Sequence, residues 1–510
     1  MKNSLRISAT ACLLLCTASA APTFQSPDGL LARARLAAQR PQWSMLEQGL
    51  RFTGTTRGRG VDATFELCFR ADGAYRYETD GPLAQVSTWD SDESWSAARG
   101  GPARPLRGAE LDASLLAQWV HSGWWADAGD ALRVEPIEDQ PELRLSFPST
   151  GVEALLTLDP ETALPRRLSR NDNGFEALVE FSDYRPVAGI PIAHRVDYSQ
   201  AGVRGFVRIE AAGPDPDPAG DRFGLRGRRA TDVRFNPEAP AEVELRRVAS
   251  GHLLVNPRVD GRDVGWFILD TGAGQLCIDP GAADRLELPE FGEVPAVGNA
   301  GTVLASFRQG ASFVLGPLEQ RDPVYVELEL DFLEPVFGVP IAGICGYDLF
   351  ARAIVQLDLD GPSLWLHDPA GFEVEDATWI DLEVQGGLPC VICSFEGDRS
   401  GLFRIDTGDS GSVTFHSPAV RQLGLLEGRE TRPAMLGGVG GSAEARSGRL
   451  DWFTLGDRRF EDVVTTFTTN EQGAHADAAS LGTIGSGLLR PFVVVFDYPG
   501  ERLGLIARSQ

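Results

Sequence analysis

Apolar and polar residues alternate through TFELCFRADGAYRYETDG (64–81). Phe65, Leu67 and Phe69 precede an Asp72-Gly73 pair, and Tyr75 and Tyr77 follow it. A period of two marks a strand with one buried face, and Asp-Gly between two such runs marks a hairpin. The pattern returns in ALLTLDPETALPRRLSR, with a turn at Asp159-Pro160, and in FEALVEFSDYRPVAGIPIAHRVDY, with a turn at Gly189. Between them, GAELDASLLAQWVHSGWW places Leu111, Leu115 and Trp119 four residues apart, which is one face of a helix. Residues 21–212 are therefore expected to form a curved antiparallel sheet with a helix against it. The run AAGPDPDPAGDRFG breaks both periods with Pro, Gly and acidic residues, so 213–244 are read as a linker.

Beyond the linker the chain repeats itself. VNPRVDGRDVGWFILDTGAG (255–274) lies over VICSFEGDRSGLFRIDTGDS (391–410) without a gap, and GYDLFARAIVQLDLDGPSLWL (346–366) over GSGLLRPFVVVFDYPGERLGL (485–505). Asp270 leads Gly346 by 76 residues and Asp406 leads Gly485 by 79. Two copies of one β unit follow each other, residues 245–375 and 376–510, and each carries one Asp-Thr-Gly after an apolar run. A single Asp-Thr-Gly would be an ordinary turn. Two of them in duplicated units can meet about a two-fold axis.

Composition narrows the setting. The chain has 510 residues, 43% of them apolar and 23% charged, which suits a folded soluble chain of several domains. A formal net charge of −25 argues against nucleic acid or an anionic membrane as the main partner. Residues 1–20 read as a signal peptide: Lys2 and Arg6, an apolar stretch from Ile7 to Cys16, then Ala18-Ser19-Ala20. The expected location is the periplasm or the cell exterior, and no later segment is long and apolar enough to predict a transmembrane helix. Of seven cysteines, Cys12 and Cys16 fall within this signal. Cys68, Cys277, Cys345, Cys390 and Cys393 remain, an odd number. Cys390 and Cys393 have CxxC spacing but sit in a strand-like run, LPCVICSFEG, where their thiols face opposite ways. With no second CxxC and no HxxxH pair, they are read as buried structural cysteines, and no metal or cofactor is expected.

With the paired motifs, residues 252–508 resemble the bilobal, pepsin-like and retropepsin-like aspartic proteases, in particular an exported bacterial branch with short lobes. The resemblance implies a two-lobed acid-protease-type β-barrel fold, so the whole chain is expected to be mainly β. It implies Asp270 and Asp406 as the catalytic pair, supported by Thr271, Gly272, Thr407 and Gly408, with Gly346 and Gly485 closing a loop beneath each aspartate. VGNAGTVLAS (297–306) and LGGVGGSAEA (436–445) stand where flap hairpins would be, and neither holds the tyrosine of the pepsin-like flap. Residue order in 40–212, including STWDSDESWSA, is similar to the lipoprotein-carrier type of half-barrel.

Chemistry explains the need for a pair. Two carboxylates about 3 Å apart cannot both ionise cheaply, so they share one proton and together activate a water against a peptide carbonyl. The implied activity is an aspartic-type endopeptidase acting on peptide or protein, and because one chain carries both aspartates a monomer suffices. Asp409 stands where a small residue is usual after the second motif, and is expected to point to solvent. Two other readings compete. The same fold could bind peptides or envelope components without cutting them. Alternatively, Gly408-Asp409-Ser410-Gly411 imitates the serine end of a trypsin-like site, but none of the six histidines stands in the setting such a base needs.

Overall fold

The computed structural model describes residues 27–46, 49–172, 175–217, 223–299 and 301–508. The expected signal peptide lies outside them. Strand makes up 49% and helix 14%, so the chain is mainly β as the periodicity implied.

A 13-stranded antiparallel sheet occupies the N-terminal part. Its first strand, Leu50–Gly58, pairs on one side with Val61–Phe69 and on the other with Val203–Pro214, so the sheet grows outward from the centre in two runs of hairpins. Phe65, Leu67 and Phe69 are buried and pair with Thr79, Tyr77 and Tyr75. The turn at Ala188-Gly189 takes positive φ at both positions, which fixes the two-residue hairpin between Phe175–Val187 and Ile190–Gln200. The helix Gly108–Ser122 packs Leu115, Leu116 and Trp119 into the core formed by Phe52, Leu143, Leu156 and Ile192.

The stretch read as a linker carries two short strands. Val233–Phe235 pairs with Leu318–Arg321, and Glu242–Val243 with Ser363–His367. Asp232 forms a bidentate ion pair with the buried Arg352. Its proline and acid content disguised edge strands, whose single neighbour leaves little periodicity to read.

The repeat is explicit in the remaining topology. One eight-stranded sheet runs through Arg246–Arg247, Leu253–Val255, Trp266–Leu269, Ile341–Cys345, Cys277–Ile278, Val324–Glu327, Thr302–Gln309 and Glu290–Val297. The other runs in the same order through Glu383–Gln385, Leu388–Phe395, Arg399–Asp406, Gly482–Gly485, Val413–Phe415, Arg458–Thr468, Gly441–Leu455 and Arg432–Gly438. In each, the strand leading to the aspartate lies parallel to the strand leading to the later glycine. A six-stranded sheet joins the copies. In it Leu357 pairs with Val494, Gln356 with Val495 and Val355 with Phe496. Val494 and Phe496 are the repeat equivalents of Val355 and Leu357, so this pairing is its own image and the two-fold axis passes at Gln356 and Val495.

Candidate active site

Each Asp-Thr-Gly sits where a buried strand ends: Trp266–Leu269 delivers Asp270, and Asp406 closes Arg399–Asp406. The threonines lock the two turns together. Thr271 N–H donates to Thr407 Oγ1 (3.0 Å) and Thr407 N–H to Thr271 Oγ1 (3.0 Å). Thr271 Oγ1 donates to the Ile405 carbonyl (2.8 Å) and Thr407 Oγ1 to the Leu269 carbonyl (2.9 Å). Both side chains are buried, so these four bonds satisfy groups that water cannot reach.

The glycines let the carboxyls meet. Gly272 N–H donates to Asp270 Oδ1 (2.7 Å) and Gly408 N–H to Asp406 Oδ1 (2.8 Å). A Cβ at Gly272 would stand 2.5 Å from the Asp406 carboxyl, and one at Gly408 would stand 2.6 Å from the Asp270 carboxyl. The two carboxyls are hydrogen-bond partners. Desolvation at the cleft floor pushes Asp270 up, offset by the hydrogen bonds from Asp406 and Gly272 and by the nearby His252. Desolvation, then the charges of Asp270 and Asp409, push Asp406 well above the usual carboxylate range. A pair raised this way holds a proton at pH values where isolated aspartates have lost theirs.

Gly346 and Gly485 lie beneath the turns. A Cβ would meet the Ala273 and Gln275 carbonyls at 2.4 Å in one copy and the Gly411 carbonyl at 2.3 Å in the other. The next N–H in each copy ties back to the turn: Tyr347 to the Ala273 carbonyl (2.9 Å) and Ser486 to the Asp409 carbonyl (2.7 Å).

Both glycine-rich hairpins are present and their tips touch. Asn299 N–H donates to the Val439 carbonyl and its Nδ2 to the Gly437 carbonyl, both at 2.9 Å. Val297, Gly298 and Gly438 line a cleft of about 2010 Å³ with the dyad at its floor. Arg144 and Asp172 of the N-terminal sheet, with Thr150 in a turn between two of its strands, line the same cleft, which no local pattern in the sequence indicated.

Asp409 departs from expectation. Its Oδ1 accepts from Gly411 N–H (2.7 Å) and its Oδ2 from Thr414 Oγ1 (3.3 Å), so the carboxylate caps its own turn instead of extending into solvent. Ser410 is exposed, and among the described residues no hydrogen bond joins it to a histidine. The histidine that reaches this turn, His252, bonds the Gly408 carbonyl through Nε2 (2.9 Å) and Ser250 Oγ through Nδ1 (2.8 Å). That geometry disposes of the trypsin-like reading. Sequence reasoning missed His252 as a neighbour of the dyad. Its repeat equivalent is Leu388, so the repeat carried no sign of it.

All five cysteines of the described residues are buried and none forms a disulfide. Burial pushes the Cys390 thiol up to about 12 and Cys277, Cys345 and Cys393 higher still. No group of three or more His, Cys, Asp or Glu suited to a metal occurs among the described residues. None of their helices is long and apolar enough to cross a membrane.

Comparison with known proteins agrees with the motif. Residues 255–349 and 391–488 match the sequence profile of the aspartyl protease family, one segment for each copy of the repeat. No curated protein sequence matches the chain. Among solved structures, basic 7S globulin from soybean is similar at 12% identity and a TM-score of 0.34, over 54% of this chain and 96% of that one. A retropepsin-like aspartic protease from Rickettsia conorii is similar at 17% identity and a TM-score of 0.20, over 25% of this chain and 89% of that one.

Proposed function

We propose that the protein is an exported aspartic endopeptidase, complete as a monomer, with Asp270 and Asp406 as its catalytic residues. The observation that carries this reading is the mutual placement of two carboxyls, each against the other turn's glycine, with raised pKa values and a shared hydrogen bond. The family match over both copies supports it.

The ionised carboxyl takes a proton from a bridging water as the water oxygen attacks the peptide carbonyl carbon. The protonated carboxyl gives its proton to the carbonyl oxygen, leaving a neutral tetrahedral diol. The carboxyl that took the water's proton then gives it to the amide nitrogen while the other carboxyl takes a proton back from a diol hydroxyl. The C–N bond breaks, releasing a carboxylic acid and an amine, and the dyad again holds one proton. The hairpins over the cleft exclude bulk water and hold an extended chain across the two aspartates.

Residues 21–510 incubated with a diverse peptide mixture from pH 3 to 8 test this directly. Cleavage is expected from the wild type and absent from Asp270→Asn and Asp406→Asn. Persistence of cleavage in either folded variant would refute the assignment. The absence of cleavage in all three would favour a peptide-binding role for the same cleft.

A further inference from the structure

The two copies share a backbone but not the chemistry they present beside the dyad. Ile268 stands two residues before Asp270 on the same face of its strand, and its repeat equivalent is Arg404. Ile344 on the neighbouring strand corresponds to Thr483. All four line the cleft. Behind the first pair, Cys277 and Val326 complete an apolar wall that continues into Leu328 and Phe337. Their pairing equivalents in the second copy are Thr414 and Thr466.

The second wall is also wired for polarity. Arg404 Nη2 pairs with Asp477 Oδ2, and Nη1 donates to the Ala474 carbonyl at 3.3 Å. Ser480 Oγ donates to Asp477 Oδ2 (3.1 Å) and meets His416 Nδ1 (3.2 Å), and His416 Nε2 meets Thr483 Oγ1 (3.0 Å). His475 lines the cleft, is 8% exposed, and its Nδ1 is buried without a hydrogen-bond partner. Burial pushes it down to about 4, so it stands neutral. With Thr483, the neutral His475 ring gives this side of the cleft polar groups where the first wall is apolar. Arg404 and Asp477 neutralise each other, and Asp409 adds negative charge nearby. A substrate carboxylate would face repulsion from the two aspartates and a substrate cation would compete with Arg404, so the wall favours an uncharged partner.

Resting on the endopeptidase reading, we propose that the cleft selects peptides with an apolar side chain on the first-copy side of the scissile bond and an uncharged hydrogen-bonding side chain (Asn, Gln, Ser or Thr) on the other. The discriminating residues are Ile268 and Ile344 on one side and Arg404, His475 and Thr483 on the other.

Octapeptides with Leu–Leu, Leu–Asn, Asn–Leu and Leu–Asp at the centre test this, each as a cleavable amide and as a hydroxyethylene isostere that cannot be cut. Calorimetry with residues 21–510 reads binding of the isosteres, and mass spectrometry reads cleavage of the amides. One of the two Leu/Asn orders is expected to bind about tenfold more tightly than Leu–Leu and Leu–Asp. His475→Phe should abolish that preference. So should the double variant Arg404→Ile/Asp477→Leu, which puts the first wall's isoleucine at position 404 without stranding a buried charge. Equal or tighter binding of Leu–Leu, no binding of any isostere, or a preference unchanged in both variants would overturn the proposal. A mixed-order preference without cleavage would uphold it while removing the endopeptidase reading. Cleavage with a Leu–Leu preference would do the reverse.

Discussion

Thr407→Val tests the claim that the two turns hold each other in place. Valine keeps the side chain's shape and removes the hydroxyl. Two bonds vanish: Thr407 Oγ1 to the Leu269 carbonyl (2.9 Å) and Thr271 N–H to Thr407 Oγ1 (3.0 Å). Thr271 is wholly buried, and so is Leu269, so neither orphaned backbone group finds water. At about 1–3 kcal/mol for each buried group left unpaired, the loss is about 2–6 kcal/mol. That is a large part of a typical domain's stability of about 5–15 kcal/mol. Thr407→Ser keeps both bonds and loses one methyl, about 1 kcal/mol. Thr271→Val should match Thr407→Val, because it orphans the equivalent Ile405 carbonyl and Thr407 N–H. Native-state hydrogen exchange followed on peptides covering 266–276 and 402–412 measures the opening free energy of both turns in each variant. A Thr407→Val protein opening within about 0.5 kcal/mol of the wild type, the range of an ordinary surface substitution, would refute the reasoning.

Gly408→Ala should fold yet lose about 100-fold or more in kcat, since its methyl displaces the Asp270 carboxyl by an ångström or so; steady-state kinetics on any cleaved peptide reads this. Asp406→Asn should be more stable than wild type at neutral pH, with the difference closing as pH falls toward about 4. A carboxyl raised by folding binds its proton more tightly in the native state, so the native state loses relative stability as pH rises above the unfolded pKa; denaturant titration at several pH values checks the sign. His252→Asn removes a ring whose charge holds Asp270 down, so Asp270 should titrate higher and the acid limb of kcat/KM should move to higher pH. The thiols of Cys277, Cys345 and Cys393, buried and pushed up, should resist alkylation in the native protein and react fully once it is unfolded.

The dyad was legible because duplication wrote it twice. Apolar runs and turn residues located each Asp-Thr-Gly, and the repeat paired Gly346 with Gly485, the glycines read as closing a loop beneath each aspartate. Asp409 was misread although the sequence held the signal: an Asp two residues before a Gly readily caps its own turn through that N–H, as it does here with Gly411. His252 was invisible for another reason. Its contact with the Gly408 carbonyl spans 156 positions and belongs to one copy only, so neither local period nor repeat could show it. The same holds for the N-terminal sheet at the cleft wall. Arg144 and Asp172 reach the cleft through the packing of whole domains, which leaves no trace in nearby residues.

The self-complementary pairing of Ile354–Asp358 with Phe492–Asp497 means that the two lobes recognise each other without depending on the segment that connects them. Near residues 369–377, between Ser363–His367 and Thr378–Asp381, the backbone serves as a tether that raises local concentration and fixes stoichiometry. A chain nicked there would be a heterodimer whose interface is already written in register. Two identical lobes meeting along this strand would be related by the same two-fold axis. Covalent continuity freed the halves to diverge, and an isoleucine on one wall and an arginine on the other are differences that no symmetric pair of identical lobes could hold.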